Sequence, residues 1–462
     1  MWLVFCLSYF KKAIRIFLVI FVLGQGLIPL SKIYPFITLY RLLFYPIFLV
    51  WIIRLFSKKN RIIHTPLNGP ILLFISIQVI AIIFSFDIGE SVKRLPVNIE
   101  YYGLLFILIS SISNKRDIKK IIGSWLALVF ISFISAMYEI ATRSNILAEL
   151  HLVGTGEKWM RYGIFRAYGF FDQPIALGIF MVIIFPFIWY RYNPEPIANK
   201  VALKYSEKSA LPYKANSARR LPNIRMDWGL MRFITIIVLV ATLIFTLSTG
   251  PWLGFVAIIL TLGGYKVIRR PVLIFVIMMI AVILIISIEF VPAGIYSYYY
   301  ELLHFNKYAE TTGANIMGRL SIVQRGLAAT KQRPWLGYGP NVMWHYGREG
   351  ILADQFGGSF QGIENNYILL LFESGIIGLI AYLCILYIIL KEMAKFAKAT
   401  PAHSSWRILA VGIIACVIGY GVIGLSAATI GFDSIHQMFL TLVALGFIGK
   451  RLYLLEGRPP FS

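Results

Sequence analysis

Acidic side chains are scarce in this chain: 21 Asp and Glu stand against 44 Lys and Arg in 462 residues, and only 14% of the residues are charged. With 58% apolar residues beside so few charges, a water-soluble fold is excluded, and no stretch remains from which a soluble catalytic domain could be built. Cysteine is nearly absent. Cys6, Cys384 and Cys416 all fall in apolar runs without a partner at metal-ligand spacing, which excludes a disulfide framework and a zinc site. The first apolar run lacks a small-residue cleavage site, so it reads as a retained anchor.

What the chain has in abundance is long apolar runs. A helix needs roughly 20 apolar residues to cross about 30 Å of hydrocarbon. About twelve such runs occur, near 14–31, 33–53, 69–86, 97–113, 121–141, 170–190, 233–248, 251–267, 271–291, 365–390, 408–429 and 437–455. The expected fold is therefore all-α: a polytopic membrane protein with spans 1–9 in residues 1–291, a long helical outer loop over 292–363, and spans 10–12 in residues 364–462.

Basic residues alternate with the spans. Lys11, Lys12 and Arg15, the stretch Arg54 to Arg61, Lys115 to Lys120, Arg191 to Arg232, Lys266 to Arg270, Lys391 to Arg407 and Lys450 to Arg458 fall on one side if both ends of the chain are cytoplasmic. The net charge of +23 is then mainly a topology signal, and nucleic acid is not an expected partner.

Three polar stretches interrupt the pattern. Between 191 and 232, Pro194, Pro196, Pro212 and Pro222 lie among lysines and arginines, as in a mobile cytoplasmic loop near anionic headgroups or a docking site for another assembly protein. From Thr142 to Tyr168, R-Y-G-I-F-R-A-Y-G-F-F-D-Q-P leads into the next span and places Arg161 and Arg166 near the outer surface, as ligands or as snorkelling side chains. The third stretch, 292–363, is rich in Tyr, Trp and Phe and is expected to fold. Within it Leu320, Val323, Leu327 and Ala328 recur at helical spacing, with Arg319, Arg325 and Lys331 elsewhere on the wheel. An amphipathic helix over 318–332, lying on the outer leaflet with its basic edge toward the headgroups, is predicted, with Pro334 ending it and Gly337, Gly339 and Pro340 making the turn.

Basic groups beside a bilayer suit a lipid-linked anionic substrate, and a carboxylate at the mouth of a helix suits a base. Both occur here: G-R-L-S-I-V-Q-R-G-L at 318–327 and R-P-W-L-G-Y-G-P at 333–340 precede E-N-N-Y-I-L-L-L-F-E-S-G-I-I-G at 364–378. This order resembles the core signature of the O-antigen ligase and polymerase superfamily of bacterial membrane glycosyltransferases. L-S-T-G-P-W-L-G at 247–254 and R-A-Y-G-F-F-D-Q-P-I-A-L-G at 166–178 resemble further motifs of that family.

The resemblance implies transfer of a glycan from undecaprenyl pyrophosphate to a sugar hydroxyl, on a glycan or lipid-linked acceptor, at the outer face of the inner membrane. It implies no metal or other cofactor. The family's loop arginine falls on Arg319, the expected diphosphate ligand, with pairing to Glu310 or Glu373 as the structural alternative. The ligase histidine falls on Glu364, while Asn365, Gly375 and Gly378 keep the rest of its pattern. A glutamate is a weaker base than a histidine, at a pKa of about 4.3 against about 6.5, unless burial raises it. Glu364 is thus either the base or a charge set against a helix dipole.

A second departure is Ser248-Thr249-Gly250, where relatives carry Ser-Arg before Gly. Arg161, Arg166 and Arg325 are the candidates to replace the missing arginine. Asn365, Asn366 and Tyr367 either bind acceptor hydroxyls or satisfy backbone groups at the start of a helix. The altered marks favour a polymerase or a divergent transferase over a ligase joining glycan to lipid A-core. A transporter of lipid-linked oligosaccharide is the rival from another class, and it would place charge deep in the spans, where only Arg41 and Glu139 stand out.

Overall fold

The computed structural model describes residues 1–23, 39–145, 149, 160–161, 164–192, 228–268, 316–343, 363–402 and 404–456. The apolar runs become helices: α1 (Trp2–Ser8), α2 (Phe10–Leu23), α3 (Leu39–Phe56), α4 (Asn68–Ile83), α5 (Ile88–Val92), α6 (Arg94–Ser111) and α7 (Lys115–Thr142). A two-stranded antiparallel ribbon, β1 (Met160–Arg161) and β2 (Ile164–Phe165), comes before α8 (Pro174–Ile184) and α9 (Phe187–Arg191). Then follow α10 (Trp228–Phe245), α11 (Thr249–Gly264), α12 (Ile316–Thr330), α13 (Asn366–Ala399), α14 (Ser405–Ile423) and α15 (Asp433–Glu456).

Six of these, α3, α7, α10, α13, α14 and α15, are long and apolar enough to cross a membrane, while α4, α8 and α11 are shorter apolar helices. Leu72, Leu73, Ile134, Leu260 and Ile380 point outward, each more than half exposed. Such apolar surface is expensive in water and suits acyl chains. The chain is a multi-pass helical membrane protein. Its expected run at 271–291, most of the 191–232 loop and residues 292–315 and 344–362 lie outside the described residues, so the count of twelve spans and the loop boundaries remain expectations.

Two findings refine the expected helices. The run at 170–190 is two helices, because Pro186 cannot donate the hydrogen bond that would carry α8 into α9. And α12 turns a different face to the protein: Gly326, Ala329 and Thr330 are buried, whereas Leu327 and Ala328 are exposed. A side chain on Gly326 would meet Ile368 at 2.5 Å, so the smallest residue marks the closest approach of α12 to α13.

The helices bring like ends together. At the end expected to be cytoplasmic, Lys11 donates to Ser113 at 2.7 Å, Trp406 to Glu456 at 3.0 Å and Tyr453 to the Ala399 carbonyl at 2.9 Å. At the other, Phe86 N–H donates to the Tyr338 carbonyl at 2.8 Å and Asn366 N–H to the Gly424 carbonyl at 2.7 Å. α14 is the hub, packed on α8, α9, α11, α13 and α15, with Tyr420 fully buried.

A break in α13 anchors the outer loop. Gly375 has φ 64° and ψ −171°, a backbone essentially restricted to glycine. The carbonyls of Phe372 and Glu373, deprived there of their helical donors, accept from Tyr338 N–H at 2.8 Å and Gly339 N–H at 3.0 Å. Ile376 N–H donates in return to the Pro334 carbonyl at 2.8 Å. The R-P-W-L-G-Y-G-P turn is thus hydrogen-bonded into the gap in the helix. Gly337, at φ 69°, lets this happen, since a side chain there would sit 2.4 Å from the Phe372 carbonyl oxygen.

Candidate functional site

Glu364 is exposed, so the burial expected to strengthen it as a base is not found, and it lies just before Asn365, which caps α13 by accepting from Tyr367 N–H at 3.0 Å and Ile368 N–H at 3.1 Å. The cap is itself anchored, for the Asn365 amide donates to the Leu425 carbonyl at 2.9 Å. Asn366 is buried and its carbonyl accepts from Ile430 N–H at 3.0 Å, while the Tyr367 hydroxyl donates to the Gly421 carbonyl at 2.7 Å. These three side chains hold the start of α13 against the end of α14. The backbone-satisfying alternative is the one their contacts display.

The helix bearing Arg319 lies against this same corner. Ile363 and Ile368, on either side of Glu364, are the residues that a side chain on Gly326 would strike. Ala329, Tyr338, Val342 and Met343 complete a small apolar cluster there with Ile363, Leu369 and Phe372. Arg319 is seven residues before Gly326, so the helical period places it on the same face, about 10 Å further along the axis. The Arg319 and Arg161 side chains themselves lie outside the described residues. Arg325 is half-buried on α12.

Arg166 stands at the start of α11. Its Nε donates to the Thr246 carbonyl at 3.0 Å and its Nη2 to Ser248 Oγ at 2.9 Å, while Ala167 N–H donates to the Phe245 carbonyl at 2.9 Å. The guanidinium therefore sits beside Ser248, the residue preceding Thr249, where the family pattern has its arginine. The segment carrying it is fixed from α7: the Glu139 carboxylate accepts from Tyr168 N–H at 2.8 Å, Gly169 N–H at 3.2 Å and the Asn145 amide at 2.5 Å. Glu139→Ala would strand these buried donors, at about 1–3 kcal/mol each. A lower melting temperature in detergent is expected for that variant, with Glu139→Gln, which keeps one acceptor oxygen, falling between it and wild type.

The two charges noted within spans both have protein partners, for Arg41 pairs with Glu100 at 2.7 Å. Sequence reasoning missed a third polar group at the outer end. Arg94 pairs with Asp433 at 3.1 Å and donates to the Ile430 carbonyl at 3.0 Å; Tyr101 donates to the same Asp433 carboxylate, and its ring packs 5.0 Å from that of His436. The only signal available was the polar face of D-S-I-H-Q at 433–437. Asp172, near Asp433, is exposed yet crowded by surrounding protein, and this desolvation, with the neighbouring carboxylate, holds its pKa above the usual range. Among the described residues no group of three or more His, Cys, Asp or Glu is arranged to hold a metal ion.

No curated protein matches the chain. Residues 234–383, from α10 through the break in α13, match the family model described as O-Antigen ligase, and over that third of the chain the match supports the resemblance to the O-antigen ligase and polymerase superfamily.

Proposed function

We propose that the protein transfers a glycan from a lipid-linked pyrophosphate, of the undecaprenyl type, to a sugar hydroxyl at the outer face of the inner membrane, and that it acts as a polymerase. The family match gives the reaction class: a membrane enzyme of glycosyltransferase type acting on lipid-linked glycans. The observation that carries the finer reading is Arg166 at the start of α11. Its guanidinium donates to the Thr246 carbonyl and to Ser248 Oγ, beside the position at which the family pattern has its arginine. A diphosphate bound there would be gripped by the guanidinium forks of Arg166 and Arg319.

In the proposed reaction the acceptor hydroxyl oxygen bonds to the anomeric carbon as the bond from that carbon to the diphosphate oxygen breaks. Glu364 takes the hydroxyl proton, and the diphosphate leaves on its lipid. Arg319, Arg166 and Arg325 offset the charge gathering on the leaving group, so the chemistry asks for no metal. Asn365, Asn366 and Tyr367 serve the site indirectly, by fixing the helix start that carries Glu364. The polymerase reading rests on Glu364 and Thr249, the two positions at which the ligase pattern is altered.

The test is turnover by purified protein in detergent with a pyrophosphate-linked glycan and an acceptor. Glycan growth without a sealed compartment is expected, and its absence there, with movement of donor across sealed vesicles instead, favours the transporter. Arg166→Ala is expected to lower the rate by about 10²-fold, within the range for loss of one charge-stabilising donor, with Arg166→Lys retaining part of it. A full rate in Arg166→Ala removes this residue from diphosphate binding. Loss of the gene distinguishes the acceptors: a polymerase mutant leaves single units on lipid, a ligase mutant long chains.

A further inference from the structure

At the opposite end of the bundle from Glu364, α2, α7 and α9 line an open cleft of about 920 Å³. Six cations line it: Lys12 and Arg15 on α2, Arg116, Lys119 and Lys120 on α7, and Arg191 at the end of α9. None of its twelve lining residues is acidic. Arg191 reaches the floor because position 123 has no side chain, the guanidinium Nε lying 3.0 Å from where one would begin. The alternation of basic loops with spans accounts for cations at this end of the molecule. It does not account for gathering six of them, from three segments distant in sequence, around one concavity, where like charges repel one another.

The remaining wall has a direction. On α2, Ile16 follows Arg15 directly and Val19 and Ile20 lie about one turn beyond it, while on α7 Ala127 lies about two turns beyond Lys120, away from the basic end and toward the middle of the bilayer. Charge at the rim with apolar surface above it matches an amphiphile with its anionic head at the membrane edge and its chains running inward. A soluble polyanion would leave that apolar wall exposed to water. We propose that this cleft binds an anionic phospholipid of the adjoining leaflet, and that six cations suit a headgroup with two phosphates, as in diphosphatidylglycerol, better than one.

The experiment is lipid binding to the full-length purified protein, measured by native mass spectrometry and by thermal shift, with diphosphatidylglycerol, phosphatidylglycerol, phosphatidylcholine and a polyprenyl diphosphate as separate probes. Diphosphatidylglycerol is expected to bind most tightly, phosphatidylglycerol more weakly and phosphatidylcholine without saturation. Arg116→Gln combined with Arg191→Gln should weaken diphosphatidylglycerol roughly thirtyfold, at about fivefold per cation. Ala127→Phe, at an exposed wall position, keeps every charge and should weaken it by filling the cleft, which serves as the test should the double variant fold poorly. Lys58→Gln with Lys59→Gln, exposed at the same end but outside the cleft, should change nothing. Equal loss in that control, unchanged binding in the cleft variants, equal binding of phosphatidylcholine, or preference for the polyprenyl diphosphate would each overturn the assignment.

Discussion

Glu364→Gln is expected to stop glycan transfer almost completely, with the protein still present in the membrane at its normal level. A positioned general base contributes about 10²–10⁴-fold, and the amide of glutamine cannot take a proton. Arg319→Ala is expected to lose activity on a similar scale, because the leaving diphosphate would then gather charge without its principal cation. The conservative variants separate the two roles. Arg319→Lys keeps a positive charge but not the bidentate fork, so some activity survives, whereas no neutral replacement of Glu364 restores a base. Chain length on a glycan gel and turnover in detergent both report this. Near-normal chains in either alanine or glutamine variant would remove that residue from the mechanism. The exposure of Glu364 fits access by an acceptor from outside, and the packing of Gly326 against Ile363 and Ile368 brings the helix of Arg319 to the same corner.

The second large effect is structural. Gly375→Ala would place a methyl group 2.1 Å from the Trp335 carbonyl oxygen, on a backbone at φ 64° that alanine seldom adopts. Both neighbours are backbone, so nothing yields cheaply. A loss of at least about 3 kcal/mol is expected, combining backbone strain with expulsion of the 334–339 turn. The measurement is melting temperature in detergent, alongside protease sensitivity near Trp335. Gly69→Ala is the control, since nothing lies within 4 Å of its added carbon. Equal melting temperatures for the two variants would contradict the view that the broken turn of α13 is what anchors the loop.

Much of the architecture was legible in the sequence because membrane spans are written in composition. The runs at 69–86, 233–248 and 251–267 become Asn68–Ile83, Trp228–Phe245 and Thr249–Gly264, and the helix expected over 318–332 is Ile316–Thr330. Where the ends moved, polar sequence was responsible: α13 continues to Ala399 through Lys391, Lys395 and Lys398, residues that apolarity does not mark although they continue the helix. The packing face of α12 was not legible, because a glycine has no hydropathy to announce a contact. Nor was the dual reading of Asn365, Asn366 and Tyr367 decidable, since their partners at Leu425, Ile430 and Gly421 lie more than fifty residues away. Sequence left Arg161, Arg166 and Arg325 as candidates for the missing arginine; the fold sets Arg166 beside Ser248, and its part in binding diphosphate is the proposal that Arg166→Ala tests. The Arg94–Asp433 pair was invisible for the same reason as the asparagines, being built from two helices 339 positions apart.

The proposed chemistry requires residues 319 and 364 to line one site. With Cys6, Cys384 and Cys416 replaced by serine or alanine, Arg319→Cys and Glu364→Cys in one chain can be probed with short thiol-specific cross-linkers in native membranes. Efficient intramolecular cross-linking, suppressed by added lipid-linked pyrophosphate glycan, is expected. Failure of the pair to cross-link, while Arg319→Cys links readily to a cysteine placed at the basic end of the bundle, would contradict that chemistry.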